Sequence, residues 1–334
     1  MEIRTVSRLA GEVLAALKTA IVGKDGLLEK VVAGVLAGGH ILFEDVPGLG
    51  KTLICTSLAH ALGLKFARIQ FTPDLLPGDI TGGYLYNRQT GGFEFRPGPV
   101  FANLVLADEI NRASPKTQSA LLEVMQERQV TVEGQRVAVD SPFIVVATQN
   151  PIEFEGTYPL PEAQLDRFMV RLAVGYPDAE MEQEILQRRL QRAREAVTVP
   201  RVASGAEVLQ MQQAVETVHV SPPVQQYIVG LVRATRSHPS VEVGASPRAG
   251  LALMQLARAL AAIRGRDFVL PDDVKAVAAD VLAHRLVLKA ELWAARVRPE
   301  QVVGDVLSRV PVPAPGPGNV WADGAAGGQT AGAG

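Results

Sequence analysis

The chain has 334 residues, of which 47% are hydrophobic, enough for two domains and a sizeable core. Its 33 Lys and Arg nearly balance 35 Asp and Glu, for a formal net charge of -2, so no overall field recruits nucleic acid or an anionic membrane. The single cysteine, Cys55, excludes an internal disulfide, suits a reducing compartment and reads as a small buried hydrophobe.

Met1 to Ala20 reads as an amphipathic helix with Val6, Leu9, Val13, Leu14 and Leu17 on one face. Arg8, Glu12 and Lys18 interrupt it, so it lacks the apolar core of a signal peptide. No apolar stretch approaches the ~20 residues of a membrane helix, and a cytoplasmic location is expected. A second helical pattern, Leu27 to Leu36, leads into a strand at His40 to Glu44. Phe66 to Phe71 alternates as another strand. From Pro73 to Pro99 the chain is glycine-rich, and the strand-like pieces Tyr84-Leu85-Tyr86 and Phe93-Glu94-Phe95 predict a projecting hairpin.

Asn103 to Glu109 and Phe143 to Asn150 are continuous apolar runs ending in polar residues, as buried parallel strands do. Between them, Ser114-Pro115 predicts a helix start, and Gln129 to Val139 alternates around Glu133-Gly134 as a second hairpin. Phe168 to Val174 reads as the last strand of this half. Alternating strands and helices predict an α/β fold whose ligands sit beyond the carboxyl ends of a parallel sheet. Thereafter only helical patterns are expected, at Asp178 to Val197, Gly205 to Val218, Pro223 to Arg236, Pro247 to Ile263 and Asp272 to His284. The final stretch, Pro311 to Gly334, holds 4 Pro, 7 Gly and 6 Ala and reads as a flexible tail, with Trp321 as a short contact at most. His40, His60, His219, His238 and His284 have no metal-ligand spacing and read as structural.

The chemistry concentrates at Ile41 to Thr52, where an apolar strand feeds a loop with Pro47, Gly48 and Gly50 that ends in Gly-Lys-Thr before a helix. That order is the context of a phosphate-binding loop: glycines let backbone N–H groups approach a polyphosphate at a helix start. Lys51 would reach the outer phosphates and the Thr52 hydroxyl would hold Mg²⁺. The strict pattern asks for glycine where Asp45 stands, so its carboxylate must point away from the phosphates. Asp108 and Glu109 form a second constellation, in which one carboxylate can face the metal while the other orients water. Consecutive strand residues point to opposite faces, which would separate the two roles.

Four motifs carry a resemblance: Glu44 to Thr52, Ala107 to Ala113, Ala147 to Pro151 and Leu160 to Phe168. Together they resemble the MoxR-type ATPases of the AAA+ superfamily, over nearly everything from Ile21 to Ala290. The resemblance implies an α/β AAA+ P-loop core, a parallel sheet flanked by helices, followed by a small all-helical lid domain. The core would span residues 1–175, with an insert in its second helix at about 78–99 and a hairpin at about 129–139. The lid would span 176–309 and the tail 310–334. Asp45 in place of glycine looks typical of this family.

Under that resemblance ATP and Mg²⁺ are the implied cofactors. Ile21, Val22 and Gly23 would pack on adenine; Pro47, Gly48, Leu49, Gly50, Lys51, Thr52 and Leu53 would form the nucleotide-binding loop. Asp108 would join Thr52 at the metal, and Glu109 would activate water. Asn150 resembles the sensor 1 residue, Arg248 resembles sensor 2, and Arg167 resembles the arginine finger that enters a neighbour's site. Such a finger makes the expected active form a homo-oligomeric ring, a hexamer. It would remodel or mature a client protein, with a partner carrying a von Willebrand A-like domain as one implied type. A magnesium-chelatase-like or helicase-like motor and a nucleotide-gated scaffold with negligible hydrolysis are the alternatives. Nucleic acid fits poorly, because Glu127 and Glu133 offset Arg128 and Arg136 on the second hairpin. For Arg112 the sequence leaves a subunit contact and a solvated cation equally open.

Overall fold

Apolar runs of strand length, each closed by a glycine, proline or polar cluster, set the architecture. The computed structural model describes residues 1–151, 156–194, 196–292 and 297–314. In chain order the elements begin α1 (Ile3–Ala20), α2 (Asp25–Leu36), β1 (Ile41–Glu44), α3 (Lys51–Ala61), β2 (Phe66–Gln70), α4 (Pro77–Thr81), β3 (Gly82–Asn87), β4 (Gly92–Pro97) and β5 (Leu104–Asp108). They continue with α5 (Pro115–Glu127), β6 (Gln129–Val132), β7 (Gln135–Ala138), β8 (Ile144–Gln149), α6 (Glu162–Leu165), β9 (Val170–Leu172), α7 (Ala179–Arg192) and α8 (Gly205–Glu216). The last are α9 (Pro222–Arg236), β10 (Val241–Val243), α10 (Pro247–Ile263), α11 (Pro271–Leu282), β11 (Val287–Leu288) and α12 (Pro299–Arg309).

Five strands pair in parallel in the order β2-β5-β8-β1-β9. The register aligns their carboxyl ends: Glu44 lies opposite Gln149, and Gln70 opposite Asp108. Ile41, Leu42 and Phe43 are buried, as are Leu104 to Ala107 and Ile144 to Ala147, so the central strands are covered on both faces. Leu121, Leu122, Val124 and Met125 of α5 pack with Val105, Val145, Phe143 and Phe168 on one face. Ser114 caps α5, its Oγ accepting from Thr117 N–H at 3.4 Å.

Both expected hairpins form. β3 and β4 pair antiparallel, as do β6 and β7, the latter around Glu133 and Gly134 with φ of 49° and 78°. Tyr84 Oη donates to Gln135 Oε1 at 2.6 Å, joining the two hairpins. Leu85, Tyr86 and Phe93 remain exposed.

Contacts divide the chain into two units, one of residues 9–212 and one of residues 1–8 with 213 onward. They do not separate at the expected boundary of 175/176. The chain after β9 stays with the sheet unit because Arg188 donates to Lys18 O (2.7 Å), while Val202 and Ala203 N–H donate to Ala61 O (2.7 and 3.0 Å). In the second unit α9, α10, α11 and α12 bury Leu231, Leu253, Leu256, Val277 and Val303. The alanines along α10 (Ala249, Ala252, Ala257, Ala259, Ala261 and Ala262) keep that helix slim where it is buried. Asp273, 1% exposed, is held by Arg264 (3.1 Å) and Arg266 (2.7 Å).

Two features of this unit differ from the sequence reading. β10 and β11 form a two-stranded antiparallel ladder where only helices were expected, because runs this short show no alternation. α12 also went unforeseen. The tail expectation falls mostly on residues 315–334, Trp321 included, which lie outside the described residues. Among the described residues no helix is long and apolar enough to cross a membrane.

Candidate functional site

The carboxyl ends of β1, β5 and β8 open into a cavity of about 270 Å³ lined by Pro47, Gly48, Gly50, Lys51, Thr52, Arg68, Asp108, Glu109, Thr148, Gln149 and Asn150. Gly48 and Gly50 have φ of 85° and 81°, angles at which a side chain is strained, and an added Cβ at either would meet open space. The loop's glycines thus serve its curvature. Behind Gly50, α3 starts at Lys51, so its first N–H groups have no helical partner and the positive end of its dipole faces the loop.

Lys51 Nζ donates to the carbonyls of Asp45 (2.7 Å) and Val46 (3.0 Å) in its own loop. Burial pulls its ammonium below the ordinary lysine range, against the opposing attraction of Asp45, Asp108 and Glu109. Asp45 does point away, as expected: its Oδ1 accepts from Val46 N–H (2.8 Å) and its Oδ2 from Gly175 N–H (2.6 Å).

Asp108 ends β5, and its carboxylate, 13% exposed, is divided between two partners. Thr148 Oγ1 donates to Oδ1 (2.7 Å); Arg68 Nη2 donates to Oδ2 (2.6 Å). Glu109 departs from the expected geometry. It is not a strand residue but has φ 56°, so a left-handed backbone, rather than the alternation of a pleat, separates it from Asp108. Its N–H donates to Thr148 Oγ1 (2.8 Å), and its Oε2 accepts from Gln70 Nε2 (2.9 Å) and Arg112 Nη1 (3.0 Å). Of the two roles left open for Arg112, the structure therefore adds a third: it pairs with the neighbouring acid.

A second cavity, of about 380 Å³, flanks the same loop. Ile21, Val22, Leu49 and Leu53 line it with Val174, Pro177, Ile185 and Leu186, so two of the residues expected at adenine, Ile21 and Val22, meet two apolar residues of the nucleotide-binding loop there. Gly23 does not line it; an added Cβ there would sit 2.7 Å from Met181 Sδ. Arg167 lies between α6 and β9 and lines neither cavity, whereas Arg171 pairs with Glu44 at 2.6 Å. Arg248 is exposed in the first turn of α10, in the other unit. Ser246 stands at that helix's N-cap without a side-chain capping bond.

Residues 40–170 match the ATPase family associated with various cellular activities (AAA), and residues 233–306 match the AAA lid domain. The protein named Chaperone MoxR1 of Mycobacterium tuberculosis is 46% identical over 324 residues, covering 93% of this chain and 83% of that one. This chain belongs to the MoxR family of AAA+ ATPases. Within it, the uncharacterized protein YeaC of Bacillus subtilis is 47% identical over 305 residues, 91% of this chain and 95% of that one. A crystal structure from Cytophaga hutchinsonii, described as a candidate ATPase, superposes with a TM-score of 0.87 at 42% identity, covering 93% and 96% of the two chains.

For this MoxR-family chain the donor set fits a polyphosphate carrying one Mg²⁺. Among the described residues no three His, Cys, Asp or Glu gather as a protein-only metal cage. A single carboxylate and a threonine hydroxyl beside a phosphate cradle suit an ion that takes its remaining ligands from phosphate oxygens and water. Arg68, Gln70 and Thr148 were missed by the sequence reading. Their one local signal is polarity at strand ends: Arg68 and Gln70 alternate with buried Ile69 on β2, and Thr148 stands near the end of β8, two residues before Asn150.

Proposed function

We propose that this MoxR-family protein hydrolyses ATP with Mg²⁺ and uses the cycle to remodel or mature a partner protein. The observation that carries this reading is the convergence of Lys51, Thr52, Asp108, Glu109 and Asn150 on one cavity beside a mostly apolar one roomy enough for a nucleobase. Thr52 and Asp108 would hold the metal, whose chemistry there is to neutralise charge developing on the β- and γ-phosphate oxygens. Lys51 and the N–H groups at the start of α3 bind the phosphates. Glu109 accepts a proton from, and orients, the attacking water, with Asn150 helping to place it. Ile21, Val22, Leu49 and Leu53 exclude water from the base, and Gly23 allows the turn that brings Ile21 and Val22 there.

Arg167 lies outside its own cavity, which agrees with a finger offered to a neighbouring protomer in a homo-oligomeric ring, a hexamer in this reading. Arg248 would report the γ-phosphate to the helical unit that carries it. The location in this reading is cytoplasmic, and the client is a protein or complex, one with a von Willebrand A-like domain among the types that fit. Glu109→Gln tests the assignment: turnover should fall about 10²–10⁴-fold while nucleotide affinity is retained, since only the proton acceptor is lost. Phosphate release equal to the parent's would remove Glu109 from its role, and absence of ATP binding in the parent would end the reading.

A further inference from the structure

Strand β2 directs Arg68 and Gln70 to one face, and that face meets the Asp108 end of β5. Arg68 commits one edge of its guanidinium there: Nε (3.0 Å) and Nη2 (2.6 Å) donate to Asp108 Oδ2, and Nη2 also donates to Gln70 Oε1 (2.7 Å). Thr148 already occupies Oδ1, so Oδ2 is the oxygen on which a cation would draw, and Arg68 holds it. A guanidinium and a divalent ion at contact distance on one oxygen repel, and both compete for the same lone pairs. The arginine is 49% exposed, so it has room to swing into solvent or toward phosphate when displaced.

On the reading that the cavity takes Mg²⁺ with a nucleotide, we propose that Arg68 is a positioning residue that competes with the divalent cation for Asp108 Oδ2. The protein thereby sets its own cation requirement: the metal binds only by displacing a resident ion pair, and Asp108 stays oriented until it does.

The test is a binding measurement on the full chain. Mn²⁺ is titrated into protein holding a fluorescent non-hydrolysable ATP analogue, and free Mn²⁺ is read by its paramagnetic signal. An exposed ion pair is worth up to about 1 kcal/mol, so Arg68→Met should lower the half-saturating Mn²⁺ concentration by up to about fivefold. Arg68→Lys, which restores charge without the fork, should lie between parent and Arg68→Met. Arg112→Met removes a nearby cation that pairs with Glu109 instead and should stay within about twofold of the parent. Should Arg68→Met fail to fold, Arg68→Gln carries the same expectation. An unchanged or raised midpoint with the analogue still bound overturns the inference and leaves the nucleotide reading standing. An equal shift in Arg112→Met overturns it as diffuse charge, and a parent that binds no analogue overturns both.

Discussion

Gly48 and Gly50 line both cavities: on one side they face Lys51, Asp108, Glu109 and Asn150, on the other Ile21, Val22, Leu53 and Val174. The polar side can act on charge that changes during reaction, whereas the apolar side offers contacts that stay the same from substrate to transition state. Such uniform contacts govern affinity, and only the differential ones govern turnover. The two sides of one loop should therefore separate in kinetics.

The largest effect is expected at Lys51, which crosses that contrast because it also holds the ground-state phosphates: its charge-assisted bonds are worth about 1.5–3 kcal/mol, so Lys51→Met should weaken nucleotide binding roughly 10–100-fold in an equilibrium titration. Thr148→Val comes next. Its hydroxyl, buried at 2% exposure, links Asp108 Oδ1 to the Glu109 N–H. Losing it should cost about 1–3 kcal/mol in urea unfolding and lower turnover by about tenfold with nucleotide affinity little changed. Ile21→Ala should do the reverse, raising KM about fivefold at unchanged kcat, because it removes only apolar contact. A fall in kcat there would break the contrast between the two walls.

The smallest effect concerns pH. Burial depresses the Lys51 pKa in the folded protein, so between that value and its unfolded value the folded state binds fewer protons and stability rises with pH. Below the folded value the cost of burying the charge is fully present. Urea midpoints of nucleotide-free protein should therefore rise for the parent relative to Lys51→Met as pH approaches the ordinary lysine range. A parallel course of the two proteins would mean that partial solvation has erased the burial cost.

What was legible in the sequence was what is local. The strands β1, β5 and β8 announced themselves as apolar runs because each is buried on both faces, and the loop from Asp45 to Thr52 carries its chemistry in consecutive residues. Arg68, Gln70 and Thr148 were not legible because their roles come from register. Gln70 meets Asp108 only through the β2–β5 ladder, and Thr148 reaches Asp108 only because β8 lies beside β5. The left-handed backbone of Glu109 was hidden for a related reason: glutamate gives no signal for it, and the Thr148 hydrogen bond from the next strand helps hold it. In the second unit β10 and β11 were too short to leave a period, whereas its long helices were plain.

The carboxylate of Asp45 fastens the cradle to the backbone at Gly175, just beyond β9 and before α7. A glycine in that position would leave the loop held by its main chain alone. With aspartate there, the polypeptide where it leaves the sheet is tied through one carboxylate oxygen to the residue whose carbonyl holds Lys51, in addition to the β1–β9 ladder.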